Sequence, residues 1–259
     1  MSKTILGAIA GDIIGSVYEW NNIKTTEFNL FDPKAYFTDD TVLTVAVADA
    51  LMNDKDLTKT VREYGNNYPR RGYGGNFRRW LRSSNPKPYN SWGNGSAMRV
   101  SPVGFMYSDI NTVLQKAEET AVISHNHPEG VKGAKAVAAA VFMAKQNKPK
   151  AEIKEFIAKE TGYDLDFSLD SIRESYEFDV SCRGSVPQAI KAFIESSDYE
   201  SAIRNAISIG GDSDTIACIT GGIASAFYKH IPDDITDFAR ARLPEEFIEI
   251  IDEFDERYG

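Results

Sequence analysis

The sequence predicts an all-α protein, and three observations carry that prediction. Apolar residues recur at three- and four-residue spacing along most of the chain. Alternating runs of β-branched residues, the mark of strands, are scarce. Apolar stretches open on helix-start residues, such as Thr38 before DDTVL and Pro128 before an alanine-rich run. The whole chain, residues 1–259, reads as one domain, without a low-complexity linker or clear internal repeat.

In order along the chain, Ile5, Ile9 and Ile13 with Leu6 and Val17 form one face of a first helix. Leu43, Ala46, Val47, Ala50 and Leu51 form a second. Val42 and Val45 make that helix apolar nearly all round, which predicts a central position. Between about 64 and 96 Gly, Pro, Asn and Ser cluster, so this part is expected to be loop-rich. EGVKGAKAVAAAVFMAKQ (129–146) is strongly helical, and further helices are expected over 150–160, 187–196, 199–208, 214–229 and 245–256. TDDT (38–41) and DSDT (212–215) each open an apolar helix, which suggests that both ends face one place.

Composition narrows the function. A net charge of -9 argues against a general nucleic-acid binder. Cys182 and Cys218 form no CxxC pair and read as small buried hydrophobes rather than as a disulfide or zinc framework. The N-terminal run is broken by Asp12 and followed by no small-residue cleavage site, and no stretch approaches the roughly 20 apolar residues of a membrane span. A monomeric cytoplasmic protein is the expectation.

The chemistry gathers in the two acid clusters. One oxygen is enough to cap a helix, yet Asp39, Asp40, Asp212 and Asp214, with Thr38 and Thr215, sit at the starts of two helices that look deeply buried. A buried carboxylate needs a partner, and neither cluster contains Lys or Arg. A hard divalent cation with all-oxygen ligands suits them, and two adjacent ions explain so many converging acids. Zinc does not suit them, because neither Cys nor His accompanies the acids. Asp12, inside the first helix, reads equally as a structural or a functional acid. In NSWGNGSAMRVSP (90–102), Gly93 and Gly95 make a loop whose N–H groups can approach an anion, with Trp92 as a flat face beside it. SHNHPEG (124–130) holds His125 and His127, while His230 reads as exposed. Arg62, Arg70, Arg71, Arg78, Arg79 and Arg82 crowd one aromatic stretch. There Phe77 and Trp80 are expected to pack inward while the arginines pair with surface acids.

GAIAGDIIGSVYE, TDDT, GNGSAMR, SHNHPEG and GGDSDTIA, in this order over nearly the whole chain, resemble the ADP-ribosylglycohydrolase family. The resemblance implies a compact orthogonal helical bundle with a binuclear Mg2+ or Mn2+ site. It implies metal ligands at Thr38, Asp39, Asp40, Asp212, Asp214 and Thr215, and a loop glutamate at the metal centre, Glu19. Ser91, Gly93 and Asn94 would lie near a diphosphate, Gly95 and Ser96 would continue that loop, Trp92 would stack on adenine, and His125 would line the ligand site. The implied reaction frees ADP-ribose from a protein side chain, a nucleic acid or a small molecule, with Glu19, Asp39 and Asp214 as catalytic carboxylates. Nucleic acid enters only as modified substrate. A two-metal phosphoesterase, and a non-catalytic ADP-ribose-binding or structural member of the family, are the competing readings. The sequence departs from the family at Tyr228-Lys229, where many relatives carry an aromatic residue followed by Gly.

Overall fold

Each long apolar period becomes a helix in the computed structural model of the chain, which describes residues 4–259. Among those residues there are fifteen helices and no strand. The first seven are α1 (Leu6–Gly15), α2 (Asp39–Met52), α3 (Leu57–Asn67), α4 (Gly75–Arg82), α5 (Gly95–Met98), α6 (Ser101–Met106) and α7 (Ile110–Val122). The middle of the chain forms α8 (Pro128–Lys145), α9 (Lys150–Thr161), α10 (Leu169–Ile172) and α11 (Cys182–Ile194). It ends with α12 (Tyr199–Ser208), α13 (Ser213–Tyr228), α14 (Asp233–Arg240) and α15 (Glu245–Tyr258). Met1, Ser2 and Lys3, part of the apolar N-terminal run, lie outside the described residues. No helix among the described residues is long and apolar enough to cross a membrane.

α13 is buried along almost its full length and packs most extensively on α1, and also on α12, α11 and α8. Small residues make that approach possible. A Cβ on Gly15 would lie 2.6 Å from the Asp214 Cα, and one on Gly7 2.7 Å from the Gly221 carbonyl oxygen. The two backbones therefore pass too close for side chains between them, and the start of α13 is pinned against the end of α1. As its composition predicts, α2 is buried on nearly all sides. Phe247, Ile251 and Phe254 of α15 are buried too, each worth about 1.5–3 kcal/mol relative to exposure.

The structure corrects the sequence reading in three places. The loop-rich segment contains α4, whose Phe77, Trp80 and Leu81 are buried on one face. The arginines of that segment form no ion pairs with acids among the described residues. Arg62 instead donates to the Leu81 and Ser83 carbonyls, and Arg71 lies 3.6 Å over the Phe37 ring and donates to the Phe37 carbonyl. The helix expected from 187 begins at Cys182, because the Ser181 hydroxyl caps it by accepting from Gly184 N, and Pro187 is tolerated inside it. Lys229 closes α13 at φ 55°, the left-handed conformation that glycine adopts at lower cost.

Candidate metal centre and ligand pocket

The two acid clusters meet. Thr215 Oγ1 donates to Asp40 Oδ2 over 3.3 Å, across 175 positions of sequence. One oxygen each of Asp12, Asp40 and Asp214 lies within 4.8 Å of the others, and the same holds for Glu19, Asp212 and Asp214. Asp39 is in neither trio. Its Oδ1 faces Gly72, where a Cβ would sit 2.9 Å away.

Capping takes up only part of these carboxylates: Asp12 accepts Thr41 N (3.1 Å) in the first turn of α2, and Asp214 Oδ1 accepts Thr215 N (2.9 Å) in the first turn of α13. The α2 cap is the Thr38 hydroxyl, which accepts from Asp40 N at 3.3 Å, and Asp212 caps α13 without a side-chain bond. Asp12 is the supporting acid. Its carboxylate accepts Thr38 N (2.9 Å), Thr38 Oγ1 (2.6 Å), Thr41 N (3.1 Å) and the Thr41 hydroxyl, which ties the TDDT turn to α1. The second cluster is set by a turn in which Gly210 and Gly211 take φ of 71° and 77°. Asn22 bridges from there to the segment carrying Glu19, since its amide donates to the Tyr18, Glu19 and Gly211 carbonyls and its oxygen accepts Gly211 N. Glu19 and Asp212 are thus held in one unit.

The electrostatics are one-sided. Asp39, Asp40 and Asp214 are raised well above the ordinary aspartate value, by burial first and then by one another and the neighbouring acids. Asp12 is raised by burial, against the pull of its four hydrogen bonds, and Asp212 by burial, against its bond from Asn94. Glu19 is pushed up to about 7 by burial, Asp212 and Asp12. No lysine or arginine among the described residues forms an ion pair with any of these acids. Buried Asp40 Oδ1 has no hydrogen-bond partner among the described residues. An orphaned carboxylate oxygen among converging oxygen donors is what a hard cation would satisfy, so the residues present fit divalent ions.

The acids form the floor of a pocket of about 380 Å³. Ser91, Gly93, Asn94, Gly95 and His125 line it with the acids. Three expected residues sit differently. Trp92 is 58% exposed and meets the His127 ring edge-on, outside the lining. Ser96 is buried, with its hydroxyl donated to the Gly130 carbonyl (2.7 Å). The Asn94 amide is turned to Asp212 (2.6 Å) and Ser185 (3.0 Å), so it holds the Asp212 carboxylate in place and has no free proton for a phosphate. His127 caps α8 by accepting Glu129 N, and His230 is exposed as expected. Cys182 and Cys218 are free and buried.

Sequence reasoning missed several lining residues. Trp20, 73% exposed, stacks on Phe178 at 5.2 Å, and both reach the pocket. Phe178 and Val180 come from an irregular segment with no pattern to flag them. Arg99 closes GNGSAMR and so lay inside a recognised motif.

This geometry agrees with the comparisons. Residues 2–258 match the family described as ADP-ribosylglycohydrolase. ADP-ribosylhydrolase ARH3 of Mus musculus is 27% identical over 314 residues, covering 88% of this chain and 84% of its own. An uncharacterized protein of Archaeoglobus fulgidus is 26% identical over 282 residues, covering 88% of each chain. A solved structure described as an ADP-ribosylglycohydrolase-related protein complex superposes with a TM-score of 0.76, covering 99% of this chain and 97% of that one. At 24% identity it shows the shared fold. The chain belongs to the ADP-ribosylglycohydrolase family and is, with that family, a glycohydrolase.

Proposed function

We propose that this chain, with Mg2+ or Mn2+ bound, cleaves the glycosidic bond between ADP-ribose and an acceptor and releases intact ADP-ribose. The observation that carries the proposal is the convergence of carboxylates from two distant helix starts on a pocket floor, with no lysine or arginine among the described residues paired to them. Thr38, Asp39, Asp40, Asp212, Asp214 and Thr215 would hold two ions. Thr38 gives its proton to Asp12 and keeps a lone pair for a cation. When bound, the ions supply the positive charge that activates water and holds ribose hydroxyls.

The remaining work falls to the chain. Asp12 keeps the TDDT turn in register, and Asn94 aims Asp212. Glu19 stands beside Asp212 and Asp214 with its affinity for a proton near neutrality, which suits an acid or base. We assign Glu19, Asp39 and Asp214 to the reaction. Ser91 and Gly93 border the place for the diphosphate, and exposed Trp92 offers a face for adenine. An oxocarbenium-like transition state, as in glycoside hydrolysis generally, would draw on this concentration of negative charge. We place the reaction in the cytoplasm, with a monomeric enzyme.

The test is a panel of substrates carrying ADP-ribose on arginine, on serine, on nucleic acid and on a small molecule, each with Mg2+, Mn2+ or chelator. Metal-dependent release of intact ADP-ribose from at least one is expected. Cleavage within the diphosphate instead would favour the phosphoesterase reading. Neither binding nor release under any condition would overturn the proposal.

A further inference from the structure

The pocket wall carries a buried row of groups that the proposed reaction has not yet used. Arg99, at the end of α5, is fully buried, yet it touches the pocket. Its Nη2 donates to the Thr120 carbonyl, near the end of α7, over 2.8 Å, and to Ser124 Oγ over 2.9 Å. Ser124 Oγ in turn lies 2.8 Å from His125 Nδ1. The histidine is anchored through its backbone N–H to the Ala121 carbonyl.

The direction of this row follows from what each group can do. A guanidinium has donors and no acceptor, so Ser124 Oγ must accept from Arg99. The serine has one proton, and Nδ1 is the only acceptor it meets among the described residues. Were Nδ1 protonated, the buried serine proton would face no partner, at the cost of an unmade buried hydrogen bond. Nδ1 therefore accepts. Burial and the nearby charge of Arg99 hold His125 well below the usual histidine value, so the ring is neutral and its single proton sits on Nε2. That nitrogen faces bare backbone. A Cβ on Gly95 would lie 3.1 Å from Nε2 and one on Gly93 3.6 Å, and neither is there.

We propose that Arg99, acting through Ser124, is a positioning residue that fixes His125 as a neutral Nε2–H donor into the glycine-lined part of the pocket. The ligand group it suits is an oxygen acceptor, a phosphate or ribose oxygen. The identity of that ligand rests on the proposed function, but the direction of the row does not. Arg99 thereby serves an anionic ligand at one remove, while its own charge stays buried.

The experiment is nitrogen NMR of protein labelled with 15N at histidine, with the His125 signals assigned against His125→Gln. The metal-free native protein is expected to show an unprotonated Nδ1 and a protonated Nε2 at neutral pH. Ser124→Ala, with its fold checked by circular dichroism, is expected to give a mixture of tautomers and to bind ADP-ribose about five- to tenfold more weakly, the worth of one hydrogen bond. Its affinity for Mn2+ should be unchanged. Ser124→Thr, which keeps the hydroxyl, should restore the native tautomer. Arg99→Leu should behave like Ser124→Ala, which carries the test alone where the larger change unfolds the chain. A protonated Nδ1 in the native protein, or a tautomer unmoved by Ser124→Ala, overturns the proposal. A shifted tautomer with unchanged ADP-ribose affinity overturns the donor role. The expected tautomers in a protein that binds no ADP-ribose uphold the row and overturn the proposed function.

Discussion

The floor and the wall of the pocket place opposite charges a short distance apart and treat them in opposite ways. On the floor, Asp39, Asp40, Asp212, Asp214 and Glu19 line one pocket, and buried Asp40 Oδ1 has no hydrogen-bond partner among the described residues. On the wall, Arg99 is buried where it borders the pocket, and its Nη2 is joined through Ser124 to His125. The floor is incomplete as protein and asks for cations from outside. The wall, although Arg99 Nε and Nη1 are buried there without a partner among the described residues, already holds a hydrogen-bond direction of its own. A ligand with hydroxyls at one end and phosphates at the other would meet both, which is why one pocket can carry both arrangements.

The largest expected effect is on the floor. Asp39→Ala and Asp214→Ala should each lose ADP-ribose release by more than about a hundredfold, the upper range for residues that merely support metal ligands. Activity of either variant near the native level would break the contrast, because the floor would then be scaffold like the wall.

Next comes the response to metal. The acids of the floor have raised values in the folded state, so above the ordinary carboxylate range the native state binds more protons than the unfolded one. Stability of the metal-free protein should therefore fall as pH rises from that range towards neutrality. Carboxylates with lowered values, such as Asp198 beside Ser201, act in the other direction at more acid pH. Mg2+ should reverse the slope, since ions compete with those protons. At a hundredfold excess over its dissociation constant it should add about 2.7 kcal/mol, or about 5–10 °C in a thermal melt at neutral pH. A melt insensitive to Mg2+ at every pH would contradict the floor's design.

Asp12 and Asp40 sharpen the comparison within the floor itself. Asp12→Ala strands two N–H groups and two hydroxyls and should cost about 3 kcal/mol or more, read by denaturant unfolding. Asp40→Asn removes a repelled charge and should leave metal-free stability unchanged or raised, while Mg2+ loses its effect. Far from both regions, Lys229→Gly should stabilise by about 1 kcal/mol by relieving a left-handed lysine. Trp92→Ala, on an exposed face, should move stability by less than about 0.5 kcal/mol and act mainly on KM.

Much of this was legible in the sequence where the cause was local. Helical period announced α2, α8 and α12, the last with its bounds as expected, because each buries a face whose pattern is written in its own residues. α4 was hidden among glycines and arginines, since its identity depends on Phe77 and Trp80 finding a core to enter. The meeting of TDDT with DSDT was foreseeable from surplus acid with no local partner. The partition of labour within the site was not. Nothing near Asn94 foretells that its amide turns to Asp212, and nothing near Asp12 foretells that it receives both threonines, because those contacts exist only once α1, α2 and α13 have packed. Phe178 and Val180 left no signal, as an irregular segment carries no period.

The central claim is that the floor exists to hold two divalent ions. The most direct measurement is a titration of the metal-free protein with Mn2+ followed by electron paramagnetic resonance, alongside Asp40→Asn. Two equivalents bound per chain, with a spin-coupled signal that Asp40→Asn abolishes, is the expected result. Failure to bind Mn2+ in stoichiometric amount, or binding that Asp40→Asn leaves intact, would contradict it.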